Sequence, residues 1–348
     1  MAKRKYSIPY NGSNPLLFVN ETVKRKDYID HVFCELPYKE MVSHTRFQFQ
    51  SHSSYNMNLN RSQYVVNCID FLKLSKGVFR RICPINAMYY NFKDEHEFFD
   101  FGIQICKAVE EFSVDGLILT DYRLARFLHQ VKPNLELHTS CNAYQWNIKQ
   151  MDIWREKCGI KVFNPPREIL RFPSKLKEMH QEGFKLKCII NEGCLVGCPN
   201  TFNHQMSISL ASYSGSNCIQ NGIGDIFKCN WILPRWQKYY DKYVDIYKIA
   251  GRNTLGNYPF FALDAYIKER DDLVLSDLMI SGCITRIHRM LPAYVLNKIT
   301  LKIVPDKLLN CECKGCKKCG MCDKILSKVI PVKFYPLFEN HQQEVLLK

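Results

Sequence analysis

Cysteine is the residue whose type and spacing first point to chemistry. Cys194 and Cys198 lie in the run Asn191-Glu192-Gly193-Cys194-Leu195-Val196-Gly197-Cys198-Pro199, and Cys218 and Cys229 follow. A second group, Cys311, Cys313, Cys316, Cys319 and Cys322, places five cysteines within twelve residues. Four thiolates on one loop region match the ligand set of an iron–sulfur cluster, and Gly193 and Gly197 would let backbone amides approach its sulfides. A structural zinc on four cysteines would read much the same. In the second group, Cys313, Cys316, Cys319 and Cys322 stand at three-residue intervals, the start of a ferredoxin-type C-x2-C-x2-C run. A second cluster is expected there, with zinc as the alternative. Cys194 and Cys198 satisfy only the first half of the C-x3-C-x2-C pattern of radical-SAM enzymes, because Thr201 occupies the third ligand position.

The remaining cysteines read differently. Cys34, Cys83 and Cys188 fall in strand-like runs, and Cys68, Cys106, Cys158 and Cys283 in or beside helical patterns, where cysteine is usually a small buried hydrophobe. Cys141, at a strand end, is the exception. The chain has 17 cysteines in all. The opening Met1-Ala2-Lys3-Arg4-Lys5 is basic, but Tyr6 to Asn14 is polar and turn-rich where a signal peptide needs an apolar run. Thiols in a reducing compartment do not pair as disulfides, so a cytoplasmic location and metal or core roles are expected. No stretch approaches 18 consecutive apolar residues, which argues against a membrane span.

These groups need elements to position them. From about residue 15, short β-like runs alternate with amphipathic helical stretches, the pattern of βα units on a parallel sheet. Eight strands are expected: Leu16–Val19, His31–Leu36, Val78–Ile85, Gly116–Thr120, Leu135–Ser140, Lys161–Phe163, Leu186–Ile190 and Asp245–Ile249. Helices are expected over Glu97–Phe112, Leu124–Val131, Ile148–Lys157, Ser174–Glu182, Pro234–Tyr243 and Tyr258–Glu269, where apolar residues recur at three- and four-residue spacing. The fold class expected is α/β, a TIM-like (β/α)8 barrel over residues 1–275 with a cysteine-rich C-terminal extension over 276–348. The 348 residues suit that size. Residues 37–63 read as a loop or lid over the barrel mouth, and 193–230 as a cluster-binding insertion.

In this architecture active sites gather at the carboxyl ends of the strands. The strand ends here carry Asn86, Asp121, Ser140, Cys141, Asn142, Asn164, Glu192 and Arg252, although Asp, Ser and Asn in such places also cap helices. A phosphate-binding Gly-x-x-x-x-Gly-Lys loop, a Gly-x-Gly-x-x-Gly after a strand and a His-Glu-x-x-His signature are all missing from the sequence. Nucleotide hydrolysis and zincin proteolysis therefore find no support. The formal net charge of +14 favours phosphate-rich partners such as RNA, or anionic substrates. Scattered lysines serving solubility would give the same total.

Several segments together resemble one family. Val114-Asp115-Gly116-Leu117-Ile118-Leu119-Thr120-Asp121, His138-Thr139-Ser140 with Asn147, Pro166-Arg167-Glu168 and Val244-Asp245-Ile246-Tyr247-Lys248-Ile249-Ala250-Gly251-Arg252 are similar, in order, to the collagenase-like peptidase family U32. That family includes proteins of tRNA and rRNA hydroxylation and of oxygen-independent ubiquinone hydroxylation. The last segment is similar to the family's Lys-Ile-Glu-Gly-Arg, with Ala250 in place of the glutamate. The resemblance implies a 4Fe–4S cluster on Cys194, Cys198, Cys218 and Cys229, and site roles for Arg167, Glu168, Lys248 and Arg252 beside Asn142 and Glu192. It implies an enzyme of redox or hydroxylation-type modification acting on RNA or another polar substrate, with an electron-donor protein as partner. Peptidase action on a peptide substrate is the alternative, although no nucleophile–base pair of recognised spacing is visible. A non-enzymatic electron carrier or scaffold is the third.

Overall fold

The computed structural model describes residues 3–37, 61–90, 92–209, 223–252, 254, 256–279, 299–311 and 319–329. The chain opens with a strand where polar, turn-like sequence was expected: β1 spans Tyr6–Pro9, buried throughout. Leu16-Leu17-Phe18-Val19, expected as the first strand, is instead the first half of α1, Pro15–Lys24. The Asn14 side chain accepts a hydrogen bond from the Leu17 amide at 3.0 Å, Pro15 has the φ that an opening helical turn needs, and Leu16 and Leu17 face solvent.

After β2, Ile29–Phe33, residues 38–60 of the expected loop lie outside the described residues. Its last residues start a helix, α2, Arg61–Leu74, which buries Tyr64, Cys68, Phe71 and Leu72. Then follow β3, Ile82–Ile85, α3, Glu95–Phe112, β4, Gly116–Leu119, α4, Tyr122–Val131, β5, Glu136–Thr139, α5, Ile148–Cys158, and α6, Pro173–Gln181. Next come β6, Lys187–Ile189, β7, Asn191–Leu195, α7, Thr201–Ser209, β8, Cys229–Trp231, α8, Gln237–Tyr240, β9, Ile246–Lys248, and α9, Tyr258–Ile267. Short α10, Leu275–Leu278, and α11, Met321–Leu326, end the described chain. The helix expected over Pro234–Tyr243 is split into a 3-10 turn, Pro234–Trp236, and α8.

The strands form parallel sheets in the orders β2-β1-β9-β6 and β3-β4-β5, with β7 and β8 as a separate antiparallel pair. Single parallel bridges join the two larger sheets: Val32 with Arg81, His138 with Val162, and Phe163 with Leu186. The expected strand at Lys161–Phe163 is present only as those bridges. Through them β1, β2, β3, β4, β5, residues 162–163, β6 and β9 each have a parallel neighbour on both sides. Side chains alternate along a strand. Ile8, Val32, Cys83, Leu117 and Leu137 accordingly join one apolar cluster with Phe18, Phe71, Ile105 and Leu128 of the helices, whereas Phe33, Ile82 and Ile118 form a separate cluster on the other strand face. Leu301, Val304, Leu308, Ile325 and Leu326 from the C-terminal part pack into the larger cluster.

Candidate functional site at the carboxyl ends of the strands

Pro166 leads into a 3-10 turn, Arg167–Arg171, directly after the 162–163 segment. The two arginines of that turn face different tasks. Arg171 is buried and donates to the carbonyls of Leu308, Cys229 and Trp231 at 2.9, 2.9 and 3.2 Å, tying the turn to β8 and to the C-terminal segment. Arg167 is 3% exposed and turns to the strand ends. Its Nη2 donates to Asn142 Oδ1 at 2.6 Å, and its Nε lies 2.9 Å from Glu192 Oε2 without the alignment of a hydrogen bond. Nη1 is buried with no partner among the described residues. Burial works against the charge of Arg167, but Cys141, Glu192 and Cys194 more than offset it and hold the guanidinium protonated. Asn142 is itself fixed by donating to the carbonyl of Asn86 at 3.2 Å.

Lys248 ends β9, 7% exposed, with Nζ 4.6 Å from the centroid of the Phe33 ring. Burial pushes its ammonium down to about 8; Arg252 and Arg167 act in the same sense, and Cys141 and Glu192 oppose them. Arg252, beyond β9, pairs with Glu35 beyond β2. The loop between Lys248 and Arg252 is clasped by Asn191 at the head of β7, whose side chain accepts from the Ala250 amide at 2.7 Å and donates to the Ala250 carbonyl at 3.2 Å. Ala250 is thus held through its backbone. Glu168 is half-buried; burial raises its carboxyl above the ordinary value, with Glu192 adding to the rise.

Asn142, Arg167 and Glu192 are thus in direct contact, and Lys248, Arg252 and Glu168 lie within their electrostatic reach. Glu35, Phe33 and Tyr144 also line this end of the strands and were not singled out from sequence. The Tyr144 hydroxyl is pushed up to about 12 by burial and feels the Arg167 charge. Its signal was the neighbouring Cys141-Asn142 at a strand end.

The strands also carry a second, buried polar set, of which the sequence had marked only His138, within a family-like segment. Lys187 Nζ lies 2.8 Å from His138 Nδ1 and 3.4 Å from His31 Nε2. His31 also touches Ser7 Oγ at 2.7 Å and Asp30 Oδ2 at 2.6 Å, and His138 Nε2 contacts Glu136 Oε1 at 2.7 Å. Burial, with Lys187 as the next cause, takes His31 down to about 3 and His138 well below its ordinary range. Lys187 is likewise pushed well below an ordinary lysine by burial.

Cys194 lies beside the strand-end group, and Cys194 and Cys198 are both half-buried, with Gly197 at φ +64° between them. The Cys194 thiol is 3.6 Å from Glu192 Oε1. Cys229 is buried on β8, and its backbone pairs with Leu195, the residue after Cys194. Cys218 lies outside the described residues. Among the described residues no three His, Cys, Asp or Glu side chains come together as a metal-holding group. In the tail, Cys313 and Cys316 lie outside the described residues, Cys319 is exposed and Cys322 half-buried. Helix α11, which carries Cys322, lies against the 3-10 turn Ile223–Lys228 that leads into Cys229. No helix of the described residues is long and apolar enough to cross a membrane.

The chain is 29% identical over 244 residues to a protein named "Uncharacterized protease MJ1657" from Methanocaldococcus jannaschii, covering 66% of this chain and 70% of that one. Among solved structures it is similar to one titled "The Structure of the U32 Peptidase Mk0906", with a TM-score of 0.48 and 10% identity over 72% of this chain and 93% of that one. It is also similar to a putative dihydrodipicolinate synthetase from Pseudomonas aeruginosa, with a TM-score of 0.40 and 9% identity over 94% of this chain and 99% of that one. Residues 83–191 match the model of peptidase family U32. That matched stretch runs from β3 to the head of β7 and contains Asn142, Arg167 and Glu168.

Proposed function

We propose that the eight parallel segments close a (β/α)8 barrel and that the chain is an enzyme working at its mouth, modifying RNA or another polar, anionic substrate by redox or hydroxylation-type chemistry. The observation that carries this reading is the buried cluster of Asn142, Arg167, Glu192 and Lys248. A guanidinium fixed on two sides with one nitrogen free is suited to hold an oxyanion, since its planar fork arrives already oriented. Lys248, at about 8, can give or take a proton near neutral pH, the property a general acid or base needs. Glu192 balances both cations, and the Arg252–Glu35 pair with Phe33 forms the adjoining wall and floor.

Cys194, Cys198, Cys218 and Cys229 are the proposed ligands of a 4Fe–4S cluster at the rim. Gly197 between the first pair, and the pairing of Leu195 with Cys229, support this placement. When bound, such a cluster would supply single-electron transfer. The approach of α11 to the turn before Cys229 supports a second, tail site on Cys313, Cys316, Cys319 and Cys322, holding a cluster or zinc. The experiment compares nucleosides of total RNA from cells lacking the gene, restored with wild type or with Lys248→Met. A modified nucleoside that disappears and returns only with wild type supports the proposal. Unchanged RNA together with hydrolysis of a protein substrate would favour a peptidase, the second reading. The family description and the name of the archaeal relative speak for it.

A further inference from the structure

Past the last paired residues of β4 and of the 162–163 segment, the strand rows continue into Thr120 and Asn164. Leu119 pairs with Thr139, and His138 with Val162, so Thr120, Ser140 and Asn164 are lateral neighbours at one level. By alternation Thr120 shares the face of Ile118, and Asn164 that of Val162. Asn164 is 1% exposed, and its backbone amide is spent on Thr139 Oγ1 at 2.8 Å. Both of its side-chain polar atoms are nevertheless without a partner among the described residues, as are Thr120 Oγ1, Arg167 Nη1 and the Tyr144 hydroxyl. Buried polar groups are normally paired, and a run of unpaired ones on a single rim marks places that something outside the chain completes.

We propose that Thr120, Asn164 and Arg167 form a subsite for a hydroxylated anion, a ligand with a phosphate or carboxylate next to hydroxyl-bearing carbons. Arg167 Nη1 can only donate, so it takes the anionic oxygen. A bare oxyanion would leave Asn164 Oδ1 unpaired, whereas a hydroxyl both donates and accepts. It therefore matches the carboxamide of Asn164 and the hydroxyl of Thr120 together. The subsite rests on the reading of Arg167 as the anion anchor of the proposed enzyme and adds the part of the substrate it selects.

The test uses full-length protein, with ribose 5-phosphate, 2-deoxyribose 5-phosphate and inorganic phosphate as probes in calorimetry and thermal unfolding. Ribose 5-phosphate and 2-deoxyribose 5-phosphate, which share the hydroxyl-bearing carbon nearer the phosphate, are both expected to bind at least fivefold more tightly than inorganic phosphate. Asn164→Leu and the near-isosteric Thr120→Val are expected to abolish that preference while leaving the unfolding midpoint of the free protein unchanged or raised. Removing an unpaired buried polar group costs no internal contact, whereas removing a structural one would lower the midpoint. Equal binding of all three probes overturns the proposal, and so does a lowered midpoint in both variants. Sugar-phosphate selectivity in a protein whose absence leaves cellular RNA unchanged would keep the subsite and reject RNA as the substrate.

Discussion

Lys187 Nζ lies 2.8 Å from His138 Nδ1, although their strands, β6 and β5, are not neighbours. The contact reaches past the 162–163 segment that lies between them, and it belongs to a set of one lysine and two histidines buried from water.

That placement gives stability a specific pH dependence. In the unfolded chain a histidine takes up its proton near 6.5, whereas folded His31 resists protonation down to about 3. Between those values the unfolded state binds more protons, so stability is full above about 6.5 and falls as the pH drops toward 3. Each histidine held neutral costs about 1.4 kcal/mol per pH unit in that window. The Asp30 carboxyl is depressed by His31 against the effect of its burial, and its contribution is also lost on acidification. Chemical denaturation midpoints from pH 8 to 4 are expected to fall steeply below 6.5, and a flat profile would contradict the buried network.

Lys248 is expected to titrate apart from the surface lysines. Competitive acetylation followed by mass spectrometry should give it a midpoint near 8, against about 10.4 for ordinary lysines. Since the folded value is depressed, native stability gains from this group as pH rises from 8 to about 10.4. Reaction at the pace of exposed lysines would contradict the burial of its ammonium.

Gly116 tests the strand packing. A Cβ there would sit 2.3 Å from the Glu136 carbonyl oxygen on the adjacent strand. Gly116→Ala is expected to destabilise the protein by about 1–3 kcal/mol or more, the range for overpacking. Gly183, at φ +76° with open space around it, should cost less, roughly 1 kcal/mol, as alanine. Equal midpoints for the two variants would count against the β4–β5 register.

Elements with strong local patterns were legible in the sequence. In α3, Phe98, Phe101, Ile105, Ala108, Val109 and Phe112 repeat at helical spacing and are all buried. β1 was missed because four residues ending in proline carry too short a pattern, and its burial comes from pairing with β2 and β9 far along the chain. α2 had a readable stripe in Tyr64, Cys68, Phe71 and Leu72, but it follows directly on an irregular stretch. At the site, Asn142 and Arg167 could be picked out by strand-end position and family motif. The contacts of Arg167 with Asn142 and with Glu192 could not, because three elements far apart in the chain create them. His31 and Lys187 gave no local sign, since each alone is one polar residue in a short strand, and His138 was marked only as part of a family-like segment.

The most direct test of Arg167 as the substrate's anchor is the salt dependence of RNA binding by anaerobically purified protein. Each phosphate contact contributes about −0.7 to the log–log slope for a single strand. Arg167→Gln is expected to weaken binding at least tenfold and to make the slope shallower by about one such contact. Unchanged affinity and slope would contradict a substrate seated at the strand ends on Arg167.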